Sequence, residues 1–100
     1  MRRLLVRPQA RLDLIEIWNH LADENVDVAN YVAKKLDDAI RGLVAVPGKG
    51  HFRQDVSDKQ YKFWTVFSYV IAYRYDDETV TIVHVVHGRR DFRRIFPEES

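Results

Sequence analysis

The chain has no cysteine and only one methionine among its 100 residues. Without thiols it can form no disulfide framework, no thiolate nucleophile and no cysteine-based zinc site. Long hydrophobic runs are also missing. The longest unbroken apolar segment, residues 69–73, is far shorter than the roughly 20 residues of a membrane-spanning helix. These absences predict a cytoplasmic protein with no membrane partner.

A large excess of charge of one sign is absent too. The 16 basic and 15 acidic residues leave a net charge of +1, so any nucleic-acid binding must come from local clusters of charge. What the chain does contain is 46% hydrophobic and 31% charged residues, which is enough for a core and a soluble surface. Its length fits one domain. We therefore expect a single domain over residues 1–100.

Two amphipathic helices are predicted in the first half of the chain. Apolar residues recur at three- and four-residue spacing over residues 9–23, which indicates one helical stripe. A second and clearer stripe follows Asn25 and Asp27, which are both plausible helix caps, and it stops before Pro47. Because only a few residues join the two helices, they should form an antiparallel hairpin.

The remaining elements are predicted to be strands. Residues 3–7 form a short first strand, and the aromatic and β-branched stretch 63–75 forms two more, with a turn near Phe67 or Ser68. Residues 80–87 are apolar on both faces apart from their histidines, which favours a central strand. The order is β-α-α-β-β-β. We predict a two-layer α+β fold, with the helical hairpin packed on one face of a mainly antiparallel sheet.

Two groups of polar residues invite a chemical interpretation. His84 and His87 are three positions apart on a strand, so they should point to opposite faces and cannot share a metal ion without a bulge. Asp13, Glu16 and His20 share one face of the first helix. We interpret that face as solvated, with an ordinary pair between Glu16 and His20. We expect no metal site and no cofactor.

The strongest local cluster of charge is a set of four arginines near the end of the chain. These are Arg89, Arg90, Arg93 and Arg94. Since a buried unpaired charge costs several kcal/mol, some of the four must face solvent or a partner. Arg90 is next to Asp91, with which it could form a structural ion pair. Arg74 lies between Tyr73 and Tyr75, and arginine beside aromatic rings suits phosphates, stacked bases or acidic proteins alike.

Several segments, taken in order, are similar to one known family. A first helix opens with RPQARLDLIEIW, a second ends in Pro-Gly, and the later strands read SYVIAYRYDDETVTIVHVVHGRRDF. That last segment contains an aromatic strand and a closing His-Gly-x-Arg-Asp signature. The residues that carry this similarity are Tyr69, Ile71, Tyr73, Val85, His87, Gly88, Arg90 and Asp91. Over residues 6–96 the chain resembles the ParE branch of the ParE/RelE toxin superfamily.

The resemblance implies a type II toxin that is neutralised by a ParD-like antitoxin with a ribbon-helix-helix N-terminus. It also implies that DNA gyrase is the target and that inhibition is by binding rather than by catalysis. DNA would then be contacted only indirectly, through the antitoxin complex. We expect the antitoxin to bind Trp18, Leu21 and Tyr31. We expect the target to bind Arg89, Arg90, Arg93 and Arg94.

The related RelE branch, which cleaves mRNA in the ribosome, is the main alternative. The positions that could serve such a reaction are Tyr73, Arg74, His87 and Arg90. Two departures favour ParE. The basic residues within positions 48–62, a region usually rich in them in ribosome-dependent members, are here balanced by Asp55 and Asp58. The chain also continues past Asp91 instead of ending in a catalytic tail. A third possibility is a decayed toxin that only binds its antitoxin.

Overall fold

A computed structural model describes residues 2–53 and 60–96 of the chain. The elements are β1 (Arg3–Val6), α1 (Pro8–Ala22), α2 (Val26–Ala45), a turn of 3-10 helix (Pro47–Lys49), β2 (Lys62–Val66), β3 (Tyr69–Tyr75), β4 (Thr79–His87) and α3 (Phe92–Ile95). The predicted β-α-α-β-β-β order is confirmed, and α3 is an addition to it. Asp55 and Asp58, the acidic residues expected to balance the nearby basic residues, lie outside the described residues.

The two long helices begin where their sequences predict. Pro8 occupies the first turn of α1, where a missing amide hydrogen costs nothing. Asn25 caps α2, because its side-chain oxygen accepts a hydrogen bond from the Val28 amide at 3.1 Å. The apolar stripe of α2 is buried against the sheet, as expected. Within the described ranges, neither these helices nor α3 have the length and apolar character needed to cross a membrane.

The sheet has the strand order β1-β4-β3-β2. Strands β2, β3 and β4 form an antiparallel meander, and β1 joins β4 in parallel. The predicted central position of β4 is therefore confirmed. Pairing with β1 ends at Val6 and Ile82, so in the described part of the chain the second half of β4 has no neighbouring strand on that side.

The helical hairpin packs on one face of the sheet, as predicted, and the short helix α3 covers part of the other face. The main core lies between the helical hairpin and the inner face of the sheet. A second cluster lies on the outer face, where α3 places Phe92 against Phe63 and Val86. Phe92, Ile95 and Phe96 have the spacing of a helical stripe, but a helix of four residues is too short to stand out among the neighbouring arginines.

Candidate interaction surfaces

An apolar groove runs between α1 and α2. Its volume is about 150 Å³. The groove exists because α2 presents the small side chains Ala29 and Ala33 opposite the larger side chains of α1. Its other lining residues include Leu14, Ile17, Trp18 and Leu36.

Trp18 is the aromatic residue of this groove. Its side chain is 36% exposed, and its Nε1 donates a hydrogen bond to Oδ1 of Asn30 at 2.9 Å, which ties the indole to the neighbouring helix. Leu21 is half-buried and packs against the main core. Of the two residues, only Trp18 combines exposure with a fixed position at the groove.

Tyr31 lies on a different surface from Trp18. It is two residues before Ala33, and therefore about 200° around α2 from the wall of the groove. Its ring is 55% exposed and lies 6.0 Å, centroid to centroid, from the ring of Phe67 in the turn between β2 and β3. The structure thus separates the three residues expected to bind the antitoxin: Trp18 lines the groove, Leu21 supports the core and Tyr31 faces the opposite flank of α2.

A second, polar cleft of about 390 Å³ lies beside the half of β4 that β1 does not reach. The α1 wall of the cleft contributes Gln9, Asp13, Glu16 and His20. The opposite wall contributes Tyr69, His87, Arg90 and Arg94. The cleft brings together side chains that are far apart in the sequence, because α1 packs on β4 and the chain turns back sharply after β4.

Asp13 takes the place of a strand at this open edge. Its Oδ2 accepts a hydrogen bond from the Val85 amide at 3.0 Å and lies 3.3 Å from Nδ1 of His84. The side chain is only 12% exposed, so the prediction of a solvated face is wrong for Asp13, while Glu16 and His20 are exposed as expected. A buried backbone amide needs an acceptor, and β1 ends before it can supply one.

His87 holds the turn that follows β4. Its Nδ1 accepts hydrogen bonds from the Arg89 and Arg90 amides, both at 3.3 Å, so the proton of the neutral ring is assigned to Nε2. The ring stands edge-on to Tyr69 with the centroids 5.7 Å apart. Across residues 2–53 and 60–96, no group of three potential metal ligands occurs.

The four C-terminal arginines are all exposed, whereas the charge argument required only that some of them face solvent or a partner. The expected ion pair between Arg90 and Asp91 is wrong. Asp91 instead lies 3.4 Å from Nη2 of Arg94, because the turn of α3 brings the residue three positions later alongside it. Arg90 is left to line the polar cleft.

Tyr73 is a buried structural residue. Its hydroxyl donates a hydrogen bond to the Pro47 carbonyl at 2.6 Å and accepts one from the Gly50 amide at 3.0 Å. Burial of the phenol raises its pKa above the ordinary value, and the hydrogen bond from Gly50 opposes that rise. The side chain fastens the segment after α2 to the middle of the sheet.

The four residues considered for RNA cleavage do not lie together. Tyr73 pairs with Ile82, whereas His87 pairs with Tyr69 at the other end of β3. Four strand residues correspond to about 13 Å. Arg74 follows Tyr73 and so faces the other side of the sheet. Among the four, only His87 and Arg90 line the same cleft.

Comparison with known proteins identifies a family. The family described as "ParE toxin of type II toxin-antitoxin system, parDE" matches residues 4–92. The chain is also similar in structure to a chain of the solved structure entitled "Chromosomal ParDE TA system from P. aeruginosa". The TM-score is 0.75 and the identity 17%, with 87% of this chain and 96% of that chain covered. At this identity the likeness concerns the fold. No curated protein shows significant similarity to the chain.

Proposed function

The chain belongs to the ParE toxin family of parDE type II toxin–antitoxin systems, and on that basis we propose that it inhibits DNA gyrase by binding it. We further propose that a ParD-like antitoxin with a ribbon-helix-helix N-terminus neutralises it by direct contact in the cytoplasm. The observation that carries a binding role is the presence of two different surfaces, an apolar groove and a separate cluster of exposed arginines.

The groove between α1 and α2 suits a helix of the antitoxin. It is apolar and lined by small residues of α2, and Trp18 at its edge is the kind of residue that dominates interface energies. An adjoining acidic segment of the antitoxin would run toward Arg89, Arg93 and Arg94. DNA would then be contacted by the antitoxin and not by this chain.

Supercoiling of a relaxed plasmid by purified gyrase tests the proposed target. The wild-type toxin should inhibit supercoiling or trap cleaved DNA, and purified antitoxin added in equal amount should restore activity. The Arg93→Ala/Arg94→Ala double variant should inhibit less. A toxin that arrests growth while gyrase remains fully active would show that the target is a different protein.

Ribosome-dependent cleavage of mRNA is a second candidate because His87 and Arg90 line one cleft together with His20. An imidazole and a guanidinium are suited to proton transfer and to stabilising a charged phosphate. Mapping of transcript ends after induction distinguishes the two functions. Cleavage in phase with codons would support the endonuclease, and intact transcripts during growth arrest would support the binding inhibitor.

A further inference from the structure

The turn between β2 and β3 holds a residue in an unusual conformation. Val66 pairs with Tyr69, so Phe67 and Ser68 form a two-residue hairpin connection. Phe67 has a φ of 55°, and it is the one residue in the described ranges with a positive φ. A two-residue turn normally places glycine, asparagine or aspartate where φ is positive, and a bulky side chain there is a genuine outlier.

Burial of the ring does not explain this strain. The Phe67 side chain is 57% exposed, and its ring contact is with Tyr31, which is itself 55% exposed. A strained backbone that carries an exposed aromatic ring gains little for the core. Backbone strain of this kind is most often kept at sites of function.

Two basic residues lie near the aromatic pair. Nζ of Lys35 lies 5.5 Å from the centroid of the Tyr31 ring. The Gly88 amide donates to the Ser68 carbonyl at 2.8 Å, so the backbone of Arg89 begins beside the turn. In the part of the chain that the structure describes, neither Lys35 nor Arg89 forms an ion pair with a carboxylate.

These four residues, Tyr31, Lys35, Phe67 and Arg89, define the hairpin-tip patch. Two exposed aromatic rings, with two basic residues nearby that form no ion pair in the described ranges, complement a partner segment that is acidic and carries an apolar side chain. The patch lies on the flank of α2 opposite the groove, which leaves it open when a helix fills the groove.

We propose that the hairpin-tip patch docks an acidic segment of the toxin's target protein. Phe67 and Tyr31 provide the apolar anchor, and Lys35 and Arg89 bind carboxylates of the target. This proposal rests on the proposed function, since it assumes that toxicity comes from binding a protein. It goes beyond that function by assigning target recognition to a second surface in addition to the arginines around α3.

The variant Phe67→Gly tests the proposal in the full-length toxin. Glycine adopts a positive φ without strain, so the melting temperature should stay unchanged or rise. The concentration that half-inhibits gyrase should nevertheless increase by about 30-fold, as expected for loss of a hot-spot residue. Induced growth arrest should weaken in parallel, whereas affinity for the antitoxin should match that of the wild type.

A matched control is Phe52→Ala. Phe52 is 55% exposed and also packs against a cation, Nζ of Lys62, at 4.3 Å from the ring centroid, but it lies outside the patch. This control should remain fully toxic. The charge reversal Lys35→Glu gives a second test that does not alter the turn, and it should also lose toxicity without loss of antitoxin binding.

Three results would overturn the proposal. They are a folded Phe67→Gly variant that arrests growth as strongly as the wild type, a charge-reversal variant with full toxicity, and a parallel loss of antitoxin binding in either variant. Growth arrest measures the contribution of the patch whichever protein is the target. A wild-type toxin that arrests growth but does not inhibit gyrase would therefore refute gyrase as the target and leave the proposal for the patch intact. A wild-type chain that neither arrests growth nor inhibits gyrase would refute both.

Discussion

Removal of one oxygen atom from Tyr73 should destabilise the whole domain. Tyr73→Phe keeps the ring in place but removes the hydroxyl that bridges the Pro47 carbonyl and the Gly50 amide. Both groups belong to buried residues, and an orphaned buried polar group costs about 1–3 kcal/mol. If one of these two groups loses its only hydrogen bond and the other finds a new partner, the free energy of unfolding should fall by about 2 kcal/mol.

Urea denaturation and thermal melting measure this loss. For a domain of this size about 2 kcal/mol corresponds to a fall in Tm of roughly 8–16 °C. The control is Tyr31→Phe, where the phenol is exposed and the change should stay within about ±0.5 kcal/mol. If Tyr73→Phe melts within a degree or two of the wild type, the bridge does not hold the segment after α2 and this reasoning fails.

The same residue predicts a dependence on pH. Because burial raises the pKa of Tyr73, the native state still holds the phenolic proton at a pH where the unfolded chain, titrating near about 10, has lost it. The stability that comes from the buried neutral phenol is therefore complete below about pH 10 and is lost as the pH rises further. The difference in stability between the wild type and Tyr73→Phe should shrink above that pH.

Three further predictions concern the surfaces. Trp18→Ala should weaken antitoxin binding by about 2 kcal/mol by calorimetry, whereas Leu12→Ala, on the same helix but outside the groove, should bind normally; equal affinities would place the main site elsewhere. Asp13→Ala should lower the free energy of unfolding by about 1–3 kcal/mol, because an amide of β4 loses its acceptor; an unchanged urea midpoint would contradict this role. Arg93→Ala/Arg94→Ala should melt within about 0.5 kcal/mol of the wild type yet be less toxic in growth assays, and full toxicity would remove these residues from the toxic surface.

Local patterns predicted most of the fold. Apolar periodicity located α1 and α2 within one or two residues, and the aromatic and β-branched composition of the later segments located β2, β3 and β4 equally closely. Asn25 as a cap and the turn at Phe67 and Ser68 were also readable, because caps and turns depend on a few adjacent residues.

The arrangement of the surfaces was less predictable, because it depends on where elements end in three dimensions. The role of Asp13 follows from the point at which β1 stops beside β4, and no spacing within α1 reveals it. The separation of Tyr31 from Trp18 depends on how the hairpin sits on the sheet. Of these surface features, the positive φ of Phe67 is the one that the sequence could have indicated. Its signal is a two-residue connection between strands that contains neither glycine nor asparagine.

The parallel pairing of β1 with β4 has a consequence for synthesis of the toxin. β1 leaves the ribosome first, but its only strand neighbour in the described chain begins at Thr79. Contacts this distant in sequence form late, whereas the α1–α2 hairpin is held by local contacts that form early. The residues of the groove are therefore exposed by the growing chain well before Arg89 can complete the hairpin-tip patch. Under the proposed function, a nascent toxin thus displays the surface proposed to bind the antitoxin before the surface proposed to bind the target.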